Sequence, residues 1–377
     1  MRAFLTLLLV AVAHAELAPL VENVEPIPGK YIIKLKDEIN VDEMTATVRL
    51  SGGHVRHIFR HVINAFSAEL SDRVLDMVRG LPGVEYVEQD GVSRVQAEAK
   101  IGDFSWGIDR IDHGTPKSFD DAYTPHISGG GRGATVWVLD TGVRSTHEQF
   151  KGTAGSRAKI VANFVDSRDE DCNGHGTHCC GTVGGSTLGV ANQVTVNAVK
   201  VMNCNGIGSS ASIMAGLDYV AKYANSRMDV VSMSIGGGAS PTQDQAVEAL
   251  IADGVPVAAA AGNSNQDACY YSPARVPTAI TVGATNERDK RAPYSNYGSC
   301  LDIFAPGSNI RSAGKLTDST TMVMSGTSMA CPHVAGAIAL YGTEFRTTKE
   351  GAKEMMTKTT KRAIDDVAGS PNELLYV

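Results

Sequence analysis

The sequence has no excess of positive charge. It contains 34 Lys and Arg residues against 41 Asp and Glu residues, a formal net charge of −7 at pH 7. Proteins that bind nucleic acid present clustered positive charge to the phosphates, so no nucleic-acid partner is expected. Internal repeats and low-complexity tracts are also absent. With 43% hydrophobic and 20% charged residues, the composition is that of an ordinary globular protein.

Long hydrophobic runs are absent except at the N-terminus. There, Arg2 precedes an apolar run over residues 3–13 that leads into Ala13-His14-Ala15. A positive start, a short apolar segment and an A-x-A site are typical of a secretory signal peptide, so residues 1–15 are predicted to be removed after Ala15. A buried helix or a membrane anchor is the alternative, but the run is too short to span a bilayer. We therefore expect a secreted, extracellular and monomeric protein without a membrane partner.

Cysteine is present in an odd number. The seven residues are Cys172, Cys179, Cys180, Cys204, Cys269, Cys300 and Cys331. A secreted protein can keep disulfides, because its environment is oxidising. An odd count leaves at least one thiol without a partner in the chain, and the count does not fix the pairing.

The chain is predicted to divide after residue 98. Residues 16–98 show a short pattern close to β-α-β-β-α-β, which would form one two-layer α+β module. The segments that carry this pattern are strands at 30–36, 61–70 and 84–88 and helices at 41–50 and 71–79. Residues 92–105 carry no strong pattern and are expected to form an exposed linker.

Residues 99–377 alternate strands with helices. Apolar strands are predicted at 134–139, 195–201, 230–235, 255–260 and 279–284, and helices at 210–223, 242–253 and 328–341. Buried strands separated by helices favour a doubly wound parallel sheet. The predicted fold class is therefore α/β, a doubly wound parallel sheet preceded by a small α+β module.

Residue types that act together in acyl transfer lie at the ends of these elements. Asp140 follows a predicted strand, and parallel α/β sheets bind ligands at the carboxyl ends of their strands. His175 lies among small residues that would let another backbone come close. Ser328 opens a helix, where its N–H points outward. Asn263 ends a further strand, and these four residues form the predicted catalytic set.

Acyl transfer explains why these residue types belong together. A serine hydroxyl is a weak nucleophile at neutral pH and needs an adjacent base, which histidine can supply. A carboxylate orients the imidazole, while the Asn263 amide and the Ser328 N–H would stabilise the oxyanion. Each residue alone could instead be a turn residue, a core histidine or a helix cap. A metal-dependent hydrolase that uses His175 and His178 is an alternative, although no Glu follows at the spacing of zinc proteases.

Four segments resemble the motifs of one protein family. They are VLDTGV (138–143), NGHGTHCCGTVGG (173–185), AAGN (260–263) and SGTSMACPHVAG (325–336). In this order they resemble the subtilisin-like serine proteases, or subtilases, and within them the proteinase K branch with its aqualysin-like enzymes. The order Asp, His, Ser along the chain is that of subtilisin. The resemblance implies a subtilisin-like catalytic domain over about 104–377 and an inhibitor-type pro-segment over 29–93.

The resemblance further implies a serine endopeptidase made as a zymogen, which acts on peptides and proteins and is inhibited by its own pro-segment. The substrate-binding residues would be Gly206, Ile207, Gly208, Ser234, Ile235, Gly236, Ala260, Ala261 and Gly262. Small, neutral walls at 260–262 would accept apolar or aromatic side chains before the scissile bond. Cleavage after paired basic residues is the second interpretation, but these segments lack the acidic groups it needs. A catalytically inactive relative that binds peptides is a further alternative.

Two disulfides are implied by the same resemblance. They would join Cys172 to Cys204 and Cys269 to Cys300, as in the aqualysin-like enzymes. Cys179 would stay unpaired beneath the catalytic histidine.

Structural calcium is the cofactor that the resemblance implies. The Asp302 carboxylate and the backbone oxygens of Pro277 and Ala279 would bind it, since hard cations favour oxygen ligands. Asp109 and Asp112 match a further calcium site only in part.

Overall fold

The computed structural model describes residues 17–96, 98–100 and 106–377 of the chain. The predicted signal peptide, residues 1–15, lies outside these described residues. Of the segments that are described, none forms a helix long and apolar enough to cross a membrane.

Residues 17–96, which we call the N-terminal module, form a small α+β unit. Its elements are β1 (Leu20–Val21), β2 (Pro26–Leu35), α1 (Val41–Leu50), β3 (His54–Phe59), β4 (Ala65–Glu69), α2 (Asp72–Arg79) and β5 (Val84–Val95). The predicted order β-α-β-β-α-β is confirmed from β2 to β5, and β1 is an additional short strand beside β5. Val48 from α1, Phe66 from β4 and Val78 from α2 are fully buried in one cluster, so the module has its own core.

Residues 106–377, which we call the C-terminal domain, contain most of the remaining elements. The strands after β5 are β6 (Glu98–Lys100), β7 (Thr135–Asp140), β8 (Lys151–Gly152), β9 (Gly155–Ser156), β10 (Ala158–Asn163), β11 (Thr195–Lys200), β12 (Ile207–Ser209), β13 (Asp229–Met233), β14 (Ile235–Gly238), β15 (Val257–Ala260), β16 (Tyr271–Ser272), β17 (Ile280–Thr285), β18 (Ile303–Pro306), β19 (Ile310–Ala313), β20 (Thr321–Ser325), β21 (Thr360–Lys361) and β22 (Glu373–Leu374). The helices are α3 (Trp106–Ile111), α4 (His175–Gly184), α5 (Ser210–Tyr223), α6 (Pro241–Ala252), α7 (Thr327–Phe345) and α8 (Thr348–Thr357).

The central sheet of this domain has the strand order β10-β11-β7-β13-β15-β17-β18-β22-β21. All neighbouring pairs are parallel except β22 with β21. In β7, Val136 and Val138 belong to the core shared with α4 and α7, whereas Trp137 and Leu139 belong to the core shared with α5 and α6. Helices thus cover both faces, which confirms the predicted doubly wound α/β sheet and explains its continuous apolar strands.

Two disulfides join loops of the C-terminal domain. Cys172 is bonded to Cys204 and Cys269 to Cys300, the same pairs that the resemblance implied. The bonded residues are 32 and 31 positions apart in the chain. In the loop-entropy model, each cross-link stabilises the fold by about 3.5–4 kcal/mol, because it restricts the unfolded chain.

The N-terminal module continues into the C-terminal domain through its last strand. β5 pairs with β2 inside the module and with β12 and β14 of the domain, so one sheet crosses the boundary. The expectation of an exposed linker over 92–105 is therefore wrong for its first residues, since β5 runs to Val95 and Ser93 is buried. Residues 98–100 form β6 beside β20. The partners of these strands lie far away in sequence, so no local pattern marks them.

Candidate active site

Asp140 and His175 are in contact at the carboxyl edge of the central sheet. Asp140 is the last residue of β7, and His175 is the first residue of α4. The two carboxylate oxygens of Asp140 lie 2.7 and 2.9 Å from Nδ1 of His175, and both side chains are fully buried. A carboxylate at Nδ1 favours the tautomer with its proton on that nitrogen, which leaves Nε2 able to accept a proton.

Glycine residues around His175 make this contact possible. A Cβ atom on Gly176 would lie 2.1 Å from the carbonyl oxygen of Gly142, so only glycine allows the two backbones to come this close. Gly174 precedes the helix with a φ of 105°, in the left-handed region that favours glycine. The prediction that small residues let another backbone approach His175 is confirmed.

Asp171 is a residue of this site that the sequence interpretation missed. Its buried carboxylate accepts five hydrogen bonds. They come from the turn before α4, from the first turn of α4 and from the residue that follows β7. The donors are the N–H groups of Asn173, Gly174 and Thr177 and the hydroxyls of Thr141 and Thr177. Thr141 in turn accepts a hydrogen bond from the Gly176 N–H at 2.9 Å. These bonds fix the start of α4, and so the position of His175 relative to β7. The available signal was an Asp close before a helix start, a type of residue that commonly satisfies free N–H groups there.

Ser328 is the second residue of α7 and is fully buried. Its hydroxyl donates to the carbonyl oxygen of Ser234 at 2.8 Å and accepts from the N–H of Gln96 at 2.9 Å. Nε2 of His175 is buried and has no hydrogen-bond partner among the residues that the structure describes. In this conformation the serine hydroxyl is therefore bonded to Ser234 and not to the imidazole.

The Asn263 side chain is fixed by Thr327, which the sequence interpretation also missed. Asn263 Oδ1 accepts hydrogen bonds from the Thr327 N–H at 2.9 Å and from its hydroxyl at 3.0 Å. This orientation leaves the amide nitrogen free to donate outward, and it donates to the carbonyl oxygen of Gln96 at 2.5 Å.

The carbonyl oxygen of Gln96 thus lies between two donors. The second is the backbone N–H of Ser328, at 3.2 Å. Two N–H donors that converge on one carbonyl oxygen, next to a serine hydroxyl, have the arrangement of an oxyanion hole. Both donors were expected from the sequence, whereas the acceptor was not, because Gln96 lies in the segment without a pattern.

The end of β5 is bound as an extended peptide. It pairs antiparallel with β12 on one side and with β14 on the other. The N–H of Val95 donates to the carbonyl oxygen of Gly206 at 3.0 Å, and that of Gln96 to Ser234 at 3.4 Å. The residues expected to pair with a substrate therefore all contact the chain's own tail. They are Gly206, Ile207, Gly208, Ser234, Ile235 and Gly236.

Ala260, Ala261 and Gly262 line a pocket beside Gln96. The other walls from the C-terminal domain are glycine, serine and tyrosine residues, and none of the described residues that this domain contributes to the lining is acidic. A pocket of this kind has no carboxylate to pair with a basic side chain. The interpretation that the protein cuts after paired basic residues therefore finds no support in the described part of the pocket.

His178 does not share a metal site with His175. Its Nε2 lies 2.9 Å from the carbonyl oxygen of Ile310, whereas Nδ1 of His175 faces Asp140. Burial lowers the pKa of His178 to about 3, so this side chain is a neutral core residue. The described side chains that could hold a metal near the site are Asp140, His175 and Cys179, without His178. The two histidines of the alternative hydrolase are therefore not brought together.

Three cysteines are free, and all three are buried. Sγ of Cys179 lies 3.7 Å from Nδ1 of His175 and 3.5 Å from the carbonyl oxygen of Ser328. Burial raises the pKa of the Cys179 thiol well above its usual range. Cys180 and Cys331 are not bonded to each other.

Asp302, the expected calcium ligand, lies directly before β18. Its Oδ2 accepts a hydrogen bond from the Thr281 N–H at 2.8 Å, and burial raises the pKa of its carboxyl group. A desolvated carboxylate is stabilised by a cation, so this donor fits calcium. Pro277 and Ala279 lie just before β17, the neighbouring strand of the sheet.

Comparison with known proteins covers both parts of the chain. Residues 131–374 match the subtilase family, and residues 30–96 match the family described as peptidase inhibitor I9. The chain is 43% identical to the alkaline serine protease ver112 of Corniculantispora psalliotae, over 97% of this chain and 94% of that protein. It is 40% identical to an extracellular serine proteinase of Thermus sp. (strain Rt41A), over 97% and 93% of the two chains.

A solved structure gives a similar result. The chain resembles a cold-adapted subtilisin-like serine proteinase with a TM-score of 0.68 and 44% sequence identity. The match covers 73% of this chain and 98% of that one.

Proposed function

Because this chain belongs to the subtilase family of serine proteases, we propose that it is a secreted endopeptidase that works through an acyl-enzyme. Ser328 is the nucleophile, His175 the general base and acid, and Asp140 the carboxylate that orients the imidazole. Asn263 and the Ser328 N–H form the oxyanion hole. The contact between Asp140 and Nδ1 of His175 and the two donors at one carbonyl oxygen support these roles.

The proposed reaction has two halves. As the Ser328 hydroxyl turns from Ser234 and attacks the carbonyl carbon, its proton passes to Nε2 of His175, and the oxyanion hole binds the carbonyl oxygen. The imidazolium then protonates the leaving amine, the C–N bond breaks, and the acyl group remains as an ester on Ser328. Water attacks this ester with His175 again as the base, which releases the acid product and restores the serine.

The position of Gln96 is the observation that carries the proposal. Its carbonyl oxygen lies in the oxyanion hole and β5 occupies both substrate edges, so the bond after Gln96 is presented as a scissile bond. We propose that the protein first cuts itself between Gln96 and Ala97. The division after residue 98 that the sequence pattern predicted then moves two residues earlier. The inhibitor-family match also ends at residue 96.

The substrate preference is proposed to be broad. Main-chain pairing with β12 and β14 does not depend on the peptide's sequence, and it supplies much of the binding. The pocket formed by residues 260–262 has small, neutral walls, which supports acceptance of apolar and aromatic side chains before the scissile bond. The chain's own tail presents Gln96 there, so an uncharged polar side chain also fits.

Secretion and calcium binding complete the proposal. The apolar N-terminus supports a signal peptide over residues 1–15, and the chain is proposed to act as a monomer outside the cell. Calcium would bind at Asp302 with the carbonyl oxygens of Pro277 and Ala279, where it would stabilise the fold without entering the reaction.

The test compares the natural chain with Ser328→Ala, both made in a host without other proteases. We expect the natural protein to begin at Ala97 by N-terminal sequencing and to be labelled at Ser328 by an active-site phosphonate. Ser328→Ala should remain uncut and unlabelled, whereas Ser325→Ala, a serine three residues earlier, should process normally. Normal processing of Ser328→Ala would refute self-cleavage, and phosphonate labelling elsewhere would refute the assignment of the nucleophile.

A further inference from the structure

One of the two disulfides has a cation beside each of its sulfur atoms. Nη1 of Arg168 donates to Sγ of Cys204 at 3.3 Å, and Nζ of Lys200 donates to Sγ of Cys172 at 3.7 Å. The two cations differ in exposure, because the Lys200 side chain is fully buried whereas Arg168 is exposed. Either sulfur atom therefore has a positive partner if the bond between Cys172 and Cys204 opens.

The other disulfide lacks these contacts and serves as an internal reference. Sγ of Cys269 lies 3.7 Å from the hydroxyl oxygen of Ser299. Within the described residues, no Lys or Arg side chain donates to the sulfur atom of Cys269 or of Cys300. The two disulfides close loops of nearly equal length, so a difference in their reactivity would come from their surroundings.

The ammonium group of Lys200 is held beside Cys172 by the loop that precedes this cysteine. It donates to the carbonyl oxygens of Arg168 and Glu170, both at 3.0 Å, and pairs with Asp166 at 3.3 Å. The Asp166 carboxylate offsets part of the positive charge at the disulfide, but its side chain is 25% exposed and so is partly screened by water. A buried cation stabilises an adjacent thiolate, because little water weakens the attraction. Cys172 is thus the better leaving group of the two cysteines.

We propose that this disulfide is a modification site for a small anionic thiol such as glutathione, and that Cys204 is the residue modified. The thiolate of the small molecule attacks Sγ of Cys204, where the exposed Arg168 attracts its negative charge. A new S–S bond forms to Cys204 and the bond to Cys172 breaks. The electron pair of the broken bond stays on the Cys172 sulfur, as a thiolate beside the Lys200 ammonium. One disulfide and one thiolate thus give one mixed disulfide and one thiolate, so the thiol is the sole co-reactant.

The bond that opens joins two loops of the candidate active site. Cys172 lies three residues before His175, and Cys204 lies two residues before Gly206 in the loop that leads into β12. Opening the bond loosens the β12 edge for substrate, while the hydrogen bonds at the start of α4 still fix the histidine. We therefore expect the modified protein to have a KM for peptides that is several-fold higher, with little change in kcat. This consequence rests on the proposed function.

The test maps the exchange on Ser328→Ala, which keeps the chain whole. The folded protein is treated with a limiting amount of glutathione, acid stops the reaction, and the peptides are identified by mass spectrometry without reduction. We expect glutathione on Cys204, a free thiol at Cys172 and an intact bond between Cys269 and Cys300. An adduct on Cys172 would overturn the proposal, and so would opening of both disulfides at the same rate. No exchange under conditions that modify the denatured chain would overturn it as well.

Arg168→Gln tests the role of the exposed cation. Its exchange with glutathione should be several-fold slower, and its exchange with the neutral thiol 2-mercaptoethanol should slow less, because only an anionic thiol is attracted by the guanidinium group. Arg288→Gln, which changes another exposed arginine, should leave both rates unchanged. An unchanged rate with glutathione in Arg168→Gln, or an equal loss with both thiols, would overturn the choice of an anionic thiol.

The effect on activity is measured on the processed natural protein with a chromogenic peptide. KM should rise after treatment with glutathione and return when free glutathione is removed, because the Cys172 thiolate then attacks the mixed disulfide and expels glutathione. A modified protein with a normal KM would overturn this consequence. An untreated protein without activity would instead refute the proposed function, and the mapping on Ser328→Ala would still decide whether Cys204 is modified.

Discussion

Glu88 and Thr242 are joined by two hydrogen bonds across the boundary between the N-terminal module and the C-terminal domain. The Glu88 carboxylate accepts from the Thr242 N–H at 3.0 Å and from its hydroxyl, and the Ser240 hydroxyl donates to the same carboxylate. It therefore meets the positive end of helix α6. Asp90 does the same at helix α5, where it accepts from the Ala211 N–H at 3.0 Å. Two buried carboxyl groups thus join the module to the domain through hydrogen bonds to the helix starts.

The pH dependence of stability follows from these two groups. Burial raises the pKa of Asp90 to about 6 and raises that of Glu88, so the folded chain binds protons on them more readily than the unfolded chain. The contribution of Asp90 to stability is therefore complete below the ordinary aspartate value of 3.8 and is lost as the pH rises through about 6. Asp90→Asn keeps an acceptor for Ala211 and removes this titration. Both proteins carry Ser328→Ala. Between pH 4 and 7, the free energy of unfolding of Asp90→Asn should fall less than that of its parent, and the difference between the two falls should be up to about 3 kcal/mol.

The control for this measurement is Asp37→Asn. The Asp37 side chain is 98% exposed, so its removal should leave the pH profile nearly unchanged. His57, whose pKa is lowered by burial, titrates in the opposite direction, but every variant carries it and its effect cancels in the comparison. The same pH profile in Asp90→Asn and its parent would contradict the role of this carboxylate.

Asn263→Ala should lower the turnover number about 10²–10³-fold with little change in KM, because one oxyanion donor is lost while the substrate strands are untouched. Steady-state kinetics on a chromogenic peptide would measure both quantities. Asn263→Asp is the matched variant, since it keeps an oxygen to accept from Thr327 but replaces the donor by a carboxylate oxygen, which also repels the oxyanion. It should be at least as slow as the alanine variant, and near-normal turnover in either would remove Asn263 from the oxyanion hole.

Asp171→Asn should lower the turnover number through the position of His175. The amide can replace only one carboxylate oxygen, so the N–H and hydroxyl of Thr177 would face an NH₂ group or lose their acceptor. We expect a lower kcat with an almost unchanged KM, together with a lower unfolding temperature. The exposed Asp169 lies in the same loop, and Asp169→Asn should be normal in both respects. A variant that is less stable but has a normal kcat well below its unfolding temperature would show a purely structural role.

Mercurials should inhibit the enzyme slowly through Cys179. The thiol is fully buried next to the imidazole, so a small thiophilic metal can displace His175 while a bulky alkylating reagent is excluded. Inhibition should vanish in Cys179→Ala and persist in Cys180→Ala and Cys331→Ala. If Cys179→Ala were still inhibited and Cys180→Ala or Cys331→Ala were not, the reactive thiol would be one of the other two cysteines.

Added calcium should stabilise the protein through Asp302. At a free concentration of 100 times Kd, one site would add about 2.7 kcal/mol to the free energy of unfolding. Asp302→Asn should lose this gain while its turnover number at low temperature stays the same, because the carboxylate does not contact the reacting groups. Differential scanning calorimetry with and without calcium measures the shift, and an equal shift in both proteins would exclude this ligand.

Regular elements with a local pattern could be predicted from the sequence. Helices 41–50 and 210–223 were predicted with the bounds that the structure shows, because apolar spacing marks both helices and Gly52 follows the end of the first. Strand β3 at 54–59 was missed, since His54 and His57 break its apolar pattern. The end of β5 was missed for a different reason: its partners β12 and β14 lie more than a hundred residues away.

The residues of the candidate site likewise fall into those that a local pattern predicts and those that it does not. Asp140, His175, Asn263 and Ser328 could be named, because each lies in a motif at the end of an element. Residues that fix those side chains through local hydrogen bonds, such as Asp171 and Thr327, lie within or beside the same motifs but have no spacing that reveals their role. Such contacts depend on exact loop conformation, which composition and periodicity do not encode.

The pairing of β5 with β12 and β14 also has a consequence for how activity is controlled. Before the bond after Gln96 is cut, the tail and its groove belong to one chain, so the groove stays filled however dilute the protein is. After the cut, the same contacts join two separate molecules, and the filled fraction depends on their concentration. Under the proposed self-cleavage, the groove should then become free as the two pieces separate, and dilution favours that separation.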